Sequence, residues 1–581
     1  MNKIRLFSAV IFVSLLFTGC DPSENSTNLP NDDTFSENFG NEVSKDFIGQ
    51  IVDTENHPLQ NVSVKIGTST AQTDANGIFI INGATVHERF AFVTAAKAGY
   101  IDGSRTMVPT SGKNNLKIML IPNTPLQTVQ SGLASEVSLP SGTKVSFDGA
   151  FQDEDGNPYS GVVTVAMFHL LPGNENLDKL MPGMLYAQTK TNQEASLATF
   201  GMLNVELRGN TGQKLNIKEG HTAEITMKID DNQTTSAPNS IPLWHFDEAK
   251  GYWKEDGIAT KVGNKYIGEV SHFSWWNCDM PNSSILLTFN FVDPNGNPLP
   301  NLPINIVNPN GSHASGETDT NGQLSGILPA NQTLTVTVFS PVFNCGVNGI
   351  VFSTMVGPFT TDTVVPNIVV TTPDVSSSNV TGMLLTCDNT NVTNGYVLLH
   401  QNGASLYSPV TNGEFSFNAL YCQSDTNFTL TGVDYDAYQA STPMSYNFVS
   451  PSLNVQGIQT CNAINQYWTY QIDGGPTLNV TGILGFLDFG FERQVRAYPG
   501  NGTNVASTSN FNFYSISQPG TFTNLLCSLE IEGVFYQLPT KTLTITNMGG
   551  GGQYFEAVLD GTYNEFQTSH TIHVEFKIYR P

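Results

Sequence analysis

Short alternations of apolar and polar side chains dominate this chain. In "NVSVKIG", Val62, Val64 and Ile66 alternate with Ser63 and Lys65, the two-residue period of a strand with one buried face. The closing run "TIHVEFKIY" likewise places Ile572, Val574, Phe576 and Ile578 on one face. Long helical periodicity is nearly absent. Between the runs, "DANG" (74–77) and "DTNG" (319–322) supply the Asn and Gly that positive-φ hairpin turns need. Strands and turns recurring at this spacing predict an all-β chain of tandem sandwiches.

The pattern repeats. Residues 47–83 and 287–324 both run strand, acidic turn, Pro-Leu, alternating strand, Asp-x-Asn-Gly, strand. Residues 380–420 are a looser third copy, and 151–168 ("FQDEDGNPYSGVVTVAMF") repeat the opening hairpin. The first copy resembles the carboxypeptidase regulatory-like domain through Gly49, Ile51, Asp53, Pro58, Leu59, Val62, Val64, Thr73, Asp74, Gly77 and Phe79. The second matches at Val292, Asp293, Pro298, Leu299, Ile304, Ile306, Thr318, Asp319 and Gly322, without the leading Gly. The third keeps Gly382 but neither Pro-Leu nor the turn Asp. The resemblance implies prealbumin-like β-sandwiches of the kind found in surface lipoproteins and beside peptidase domains, and it implies no peptidase activity. The stretch 240–276, with its Trp-His and Trp-Trp corner, looks like a module of bacterial surface proteins.

The first residues, "MNKIRLFSAVIFVSLLFTGC", carry Lys3 and Arg5 before the apolar stretch Leu6 to Phe17. That stretch is too short for a stable span and reads as a signal peptide. Phe17-Thr18-Gly19-Cys20 resembles a bacterial lipobox, which implies lipidation at Cys20 and a membrane partner through the lipid. Residues 21–45 are polar, acidic and Pro-containing, the composition of a flexible tether. Asp21, Glu24, Asp32 and Asp33 fit the acidic signal that exports some lipoproteins of Gram-negative bacteria to the outer face. The expected divisions are therefore 1–20 signal peptide, 21–45 tether, 46–122 first sandwich and 123–281 central β unit with a Trp cluster. Then come 282–373 second sandwich, 374–473 divergent third sandwich and 474–581 C-terminal β unit.

At 581 residues the chain needs several cores. Its formal net charge of -25 repels a phosphate backbone, so nucleic acid is not a partner. Setting Cys20 aside leaves Cys278, Cys345, Cys387, Cys422, Cys461 and Cys527. An even number in an oxidising compartment predicts disulfides, with the pairing open.

Candidate chemistry gathers in "SIPLWHFDEAKGYWKEDG" (240–257). His245-x-x-Glu248 has the spacing of the first ligand pair of metallocarboxypeptidases, with His272 a possible third ligand; His221-x-x-Glu224 has the same spacing. Catalytic zinc needs three ligands and an open position, and the region is short and turn-rich. The simpler reading is a hairpin in which Trp244 meets Trp253, with Trp275 and Trp276 completing one core and the acids facing water. "DEDGN" (153–157) and "DPNGN" (293–297) are fragments of calcium-loop patterns and read as turns. No P-loop, G-x-S-x-G or complete dinucleotide fingerprint occurs. The expectation is a non-enzymatic surface lipoprotein of the outer membrane, without cofactor, structural or adhesive, with a protein or glycan ligand. The alternatives are glycan capture beside a TonB-dependent transporter and a zinc hydrolase centred on His245 and Glu248.

Overall fold

The fold is that of a computed structural model, which describes residues 32–580 apart from 310–312, 340–348, 372–374, 402–403, 437–438, 464–466, 476–477, 481–482, 499–508, 524, 532, 549–552 and 566–567. Cys20 and Cys345 lie outside the described residues. The described chain is nearly all strand, arranged in separate sheets as the alternating pattern predicts.

Three units share one topology. In the first, Glu42–Asp53 pairs antiparallel with Ile78–His87 and parallel with Asn114–Pro122. In the next, Ser284–Val292 pairs the same way with Gln323–Pro329 and with Thr363–Val364 and Ile368–Val369. Val375–Thr386 repeats the scheme with Glu414–Cys422, Ser452–Asn454 and Ile458–Thr460. A second sheet covers each of these, such as Ser69–Gln72, Ser63–Ile66, Ala91–Ala96 and Gly103–Met107 in the first unit.

Packing explains the repeated letters. A Cβ on Gly49 would lie 2.5 Å from the Phe79 ring that faces it across the strand pair. Gly382 stands in the same relation to Phe415, at 2.7 Å. In the middle repeat the pair is Phe289 and Leu324, so the large residue has changed strands and no glycine is needed. Thr73 Oγ1 accepts from Val62 N at 2.9 Å and donates to Leu59 O at 2.6 Å. Thr318 does the same with Leu302 N (2.9 Å) and Leu299 O (2.7 Å), which ties the Pro-Leu segment to the next turn. Gly77 and Gly322 sit at φ +70 and +69, where a Cβ would meet the carbonyls of Ile51 and Phe291.

The central unit is one 13-stranded sheet curled so that it has a core on each face. The C-terminal unit begins at the strand Tyr467–Ile472, which pairs with Thr568–Arg580, so it starts earlier than the expected 474. Ile572, Val574, Phe576 and Ile578 all face its core, as their alternation predicts.

The units do not form a string. The first is a hub. Its Val52, Ile101, Met119 and Ile121 share a core with Trp244, Trp253 and Trp275 of the central unit. Its Ile48 and Ile78 pack on Tyr396, Tyr407 and Val433 of the fourth. Arg105 reaches two neighbours at once, donating to Asp178 O of the central unit at 2.5 Å and Ser315 O of the third at 2.8 Å. The expected tether is also corrected. Asp32–Phe39 is a 3-10 helix whose Phe35 and Phe39 enter a cluster with Phe90, Tyr186 and Tyr252. Phe39 stacks on Phe90 at 4.1 Å. Two aromatic residues in an otherwise polar stretch bury enough surface to dock it.

Turn aspartates join the hub to its neighbours. Asp74 Oδ1 accepts from Asn76 N and Ile78 N, both at 2.9 Å, closing its own turn. Its Oδ2 accepts from the Tyr396 hydroxyl at 2.6 Å and the Tyr435 hydroxyl at 3.3 Å, on the fourth unit. Asp319 repeats this: Oδ1 serves Asn321 N and Gln323 N at 2.8 Å. Its Oδ2 takes Thr110 Oγ1 and Gly112 N of the first unit, both at 2.7 Å. Replacing Tyr396 by Phe leaves the turn intact and removes two interface bonds, the one its hydroxyl donates to Asp74 and the one it accepts from Asn76 Nδ2 at 2.9 Å, a loss of about 1–2 kcal/mol because a buried acceptor is left short. Hydrogen exchange should quicken in Gly395–Gln401 and not in the C-terminal unit.

Candidate functional site

The hairpin Ser240–Asp247 and Tyr252–Val262 holds the aromatic corner. The alternation of "IPLWHF" sorts its side chains: Ile241 and Leu243 enter one core, Trp244 and Phe246 the other. Relative exposure is 0 % for Trp244, 0 % for Trp253, 3 % for Trp275 and 1 % for Trp276, so no indole lines an open cleft. They do not form the one core expected. Trp276 belongs to the inner core and the other three to the seam with the first unit. A register shift between Pro242 and Trp244 places Trp253 opposite Phe246, with ring centroids 5.3 Å apart, and Trp244 opposite Glu255.

The turn is a docking point as well. Asp247 Oδ1 accepts from Ala249 N at 3.1 Å and Lys250 N at 3.0 Å, which closes it. Gly251, at φ +83, lies so close to Phe92 of the first unit that a Cβ would meet the ring at 2.4 Å. Thr106 Oγ1 donates to Gly251 O at 2.6 Å across the same seam.

The proposed zinc ligands do not come together. Glu248 pairs with Lys214 at 3.3 Å. His245 is instead edge-on to His272, with ring centroids 4.7 Å apart, and lies against Trp276. Asp256 is its nearest carboxylate, Oδ2 to Nδ1 3.7 Å. His221 pairs with Asp148 at 2.5 Å, while Glu224 lies exposed on the strand Ala223–Lys228. Among the described residues no three His, Cys, Asp or Glu side chains are placed to hold a metal ion. The two calcium-like fragments are turns: Asp153 Oδ1 accepts from Asp155 N at 3.1 Å and Asn157 N at 2.8 Å, and Asp293 does likewise with Asn295 and Asn297.

Burial governs the titration of this corner. It pulls His245 down to about 4, with the neighbouring His272 adding to the effect, and it lowers His272 as well. Asp279, fully buried beside the Trp244 strand, is pushed well above the carboxylate range by the same desolvation. Its carboxylate takes the Asn277 amide, and its backbone oxygen takes Trp244 Nε1 at 3.0 Å. Nothing in the sequence pattern singles out Asp279, which lies in the strand Trp275–Asn282 opposite Thr199.

The cysteines divide. Cys387 and Cys461 are disulfide-bonded across the fourth unit, and Cys422 is also disulfide-bonded. The pairing expected for Cys278 and Cys527 is corrected: both are free thiols. They belong to the separate cores of the central and C-terminal units, and Cys278 is an apolar filler whose thiol burial pushes upward.

Comparison with known proteins adds little. No protein-family model matches the chain, and no curated protein matches it. Among solved structures, a shaft pilin of Lactobacillus rhamnosus GG is 13 % identical over 31 % of this chain and 96 % of its own, with a TM-score of 0.16. The major pilin subunit of Bacillus cereus is 10 % identical over 72 % of this chain and 100 % of its own, at 0.12. A putative membrane-associated protein of Bacteroides fragilis is 8 % identical over 42 % of this chain and 99 % of its own, also at 0.12. At such scores these likenesses carry no weight for kinship or function. What stands is the class: an all-β protein of tandem sandwiches, built of several units around the first.

Two outcomes are expected. His245 is held neutral in the fold and reverts to its ordinary value near 6.5 on unfolding. Its contribution is present above pH 6.5 and is lost as pH falls toward 4. In urea unfolding followed by tryptophan emission, H245Q should lose about 2–3 kcal/mol less than the wild type between pH 7.5 and 4.5. Replacing Cys387 and Cys461 together by Ala should destabilise the fourth unit by about 2–4 kcal/mol and leave the C-terminal unit's transition where it is.

Proposed function

We propose that the chain is a non-enzymatic scaffold displayed at a bacterial cell surface, held by lipid on Cys20, with carboxypeptidase regulatory-like sandwiches as its repeating units. The observation that carries this reading is how the chemistry-bearing side chains are used. The four indoles of the corner are packed, Glu248 is paired with Lys214, and the turn acids close hairpins or join units. Each is committed to holding the fold. Support for the membrane anchor comes from sequence: the short apolar segment, the small residues and Cys20. Stacking of a sugar on the corner would need exposed indoles, and the burial of all four leaves glycan capture there without support.

The anchor is tested by fractionation. The wild-type chain should enter the detergent phase of a Triton X-114 partition, which reads the covalent lipid, and C20S should enter the aqueous phase with its unfolding temperature unchanged. Membrane retention of C20S through an uncleaved leader would show as a chain of full precursor length. Metal analysis of the purified protein tests the hydrolase alternative: stoichiometric zinc, lost in H245Q, would revive it and displace the scaffold reading.

A further inference from the structure

The C-terminal unit differs from the rest. Its core draws on no described residue before Trp468. Among the described residues it also holds the exposed phenylalanines, Phe489, Phe491 and Phe535. Phe489 is 63 % exposed, Phe491 67 % and Leu526 69 %.

These three lie at one end of one sheet. Ile483–Asp488 and Glu492–Tyr498 form a hairpin, closed by Phe489 N donating to Glu492 O at 2.9 Å. Gly490, at φ +78, and Phe491 make up the tight two-residue turn, with Phe489 directly before it. Tyr514 pairs with Glu492 on the next strand, its ring 6.0 Å from Phe491 and its hydroxyl donating to Glu492 at 3.0 Å. Tyr514 N donates to Leu526 O at 3.2 Å, which brings Leu526 to the same end. Such an end, apolar at its point with a phenol and a carboxylate behind, has the polarity gradient of a membrane interface.

Size and charge decide the occupant. At about 200 Å² per large side chain, the three present roughly 400 Å² of apolar surface. A stable protein interface needs about 800 Å² per partner with matching shape, about twice what these side chains offer. A fluid bilayer needs no matching surface, only apolar side chains that reach past the headgroups. Arg493 and Lys541, cations of this unit, are spent on the carbonyls of Ile516 and Leu538. With Glu492 at the tip and a net charge of -25 on the chain, an anionic surface is repelled. We propose that Phe489, Phe491 and Leu526 form an insertion tip for a zwitterionic lipid bilayer. It is a second membrane contact, independent of Cys20.

The experiment uses the chain from residue 21 onward, without the lipid, and vesicles of phosphatidylcholine in a flotation assay. The chain should float with the vesicles. F489S/F491S should lower the bound fraction at least tenfold, as should L526S to a smaller degree. F535S should not; Phe535 is 59 % exposed toward the other end of the same sheet, opposite Glu530. Adding phosphatidylserine should weaken binding. Near-ultraviolet dichroism identical to wild type establishes that the variants, all at exposed sites, are folded. Failure of the wild type to float would overturn the proposal. So would equal flotation of F489S/F491S, or self-association in solution that this variant abolishes, which would make a second copy the occupant. Because Cys20 is absent throughout, none of these results bears on the lipid anchor.

Discussion

A hairpin aspartate has two carboxylate oxygens, and closing the turn needs only one. The arrangement of this protein depends on the other. At Asp74 and Asp319, Oδ1 holds the turn and Oδ2 is left at the surface of the sandwich as a fixed, directional acceptor. The fourth unit brings tyrosine hydroxyls to one, and the first unit brings a threonine hydroxyl and a backbone N–H to the other. Bonds to an ionised acceptor are about twice as strong as neutral ones, and burial raises the stake. At Asp74, desolvation pushes the carboxyl up while the Tyr396 hydroxyl pulls it back. Docking through the turn also fixes geometry, because the same carboxylate is already held by two backbone N–H groups of its own turn.

The same reasoning accounts for the unit that stands apart. In the third repeat Thr411 and Glu414 close a turn one residue shorter, and no aspartate carboxylate is there to offer a second oxygen. The C-terminal unit follows that repeat and builds its core from its own residues among those described. Three units gather around the first, and the fifth is left with an exposed apolar end. The tryptophan corner is a further dock on the hub, with its turn glycine pressed against Phe92 and its indoles closed over by Val52, Ile101, Met119 and Ile121.

What the sequence made legible was local. Alternation at Ile572–Ile578, the positive-φ glycines of the turns and the Asp-x-Asn-Gly repeats each depend on residues a few positions apart, and each is found where the pattern puts it. The Trp corner was legible as packed, but its division between two cores was not. That follows from the register shift at Pro242 and from a neighbouring unit that the local pattern does not contain. The docking role of Asp74 was hidden for the same reason: its partner Tyr396 is 322 residues away. Phe35 and Phe39 were outvoted by the polar composition around them, because a tether is read from average composition and two buried rings suffice to dock one. Cysteine counting assumed that an even number pairs. It missed that Cys278 sits in a core as an apolar side chain with a free thiol.

Differential scanning calorimetry of the chain from residue 21, compared with T110V/Y396F, probes the shared carboxylates most directly. If second oxygens bind the units into one body, the wild type melts as one large transition plus a small one for the C-terminal unit. The double variant then splits the large transition and leaves the small one in place. Separate melting of every unit in the wild type, or a double variant whose profile is unchanged, would contradict the account.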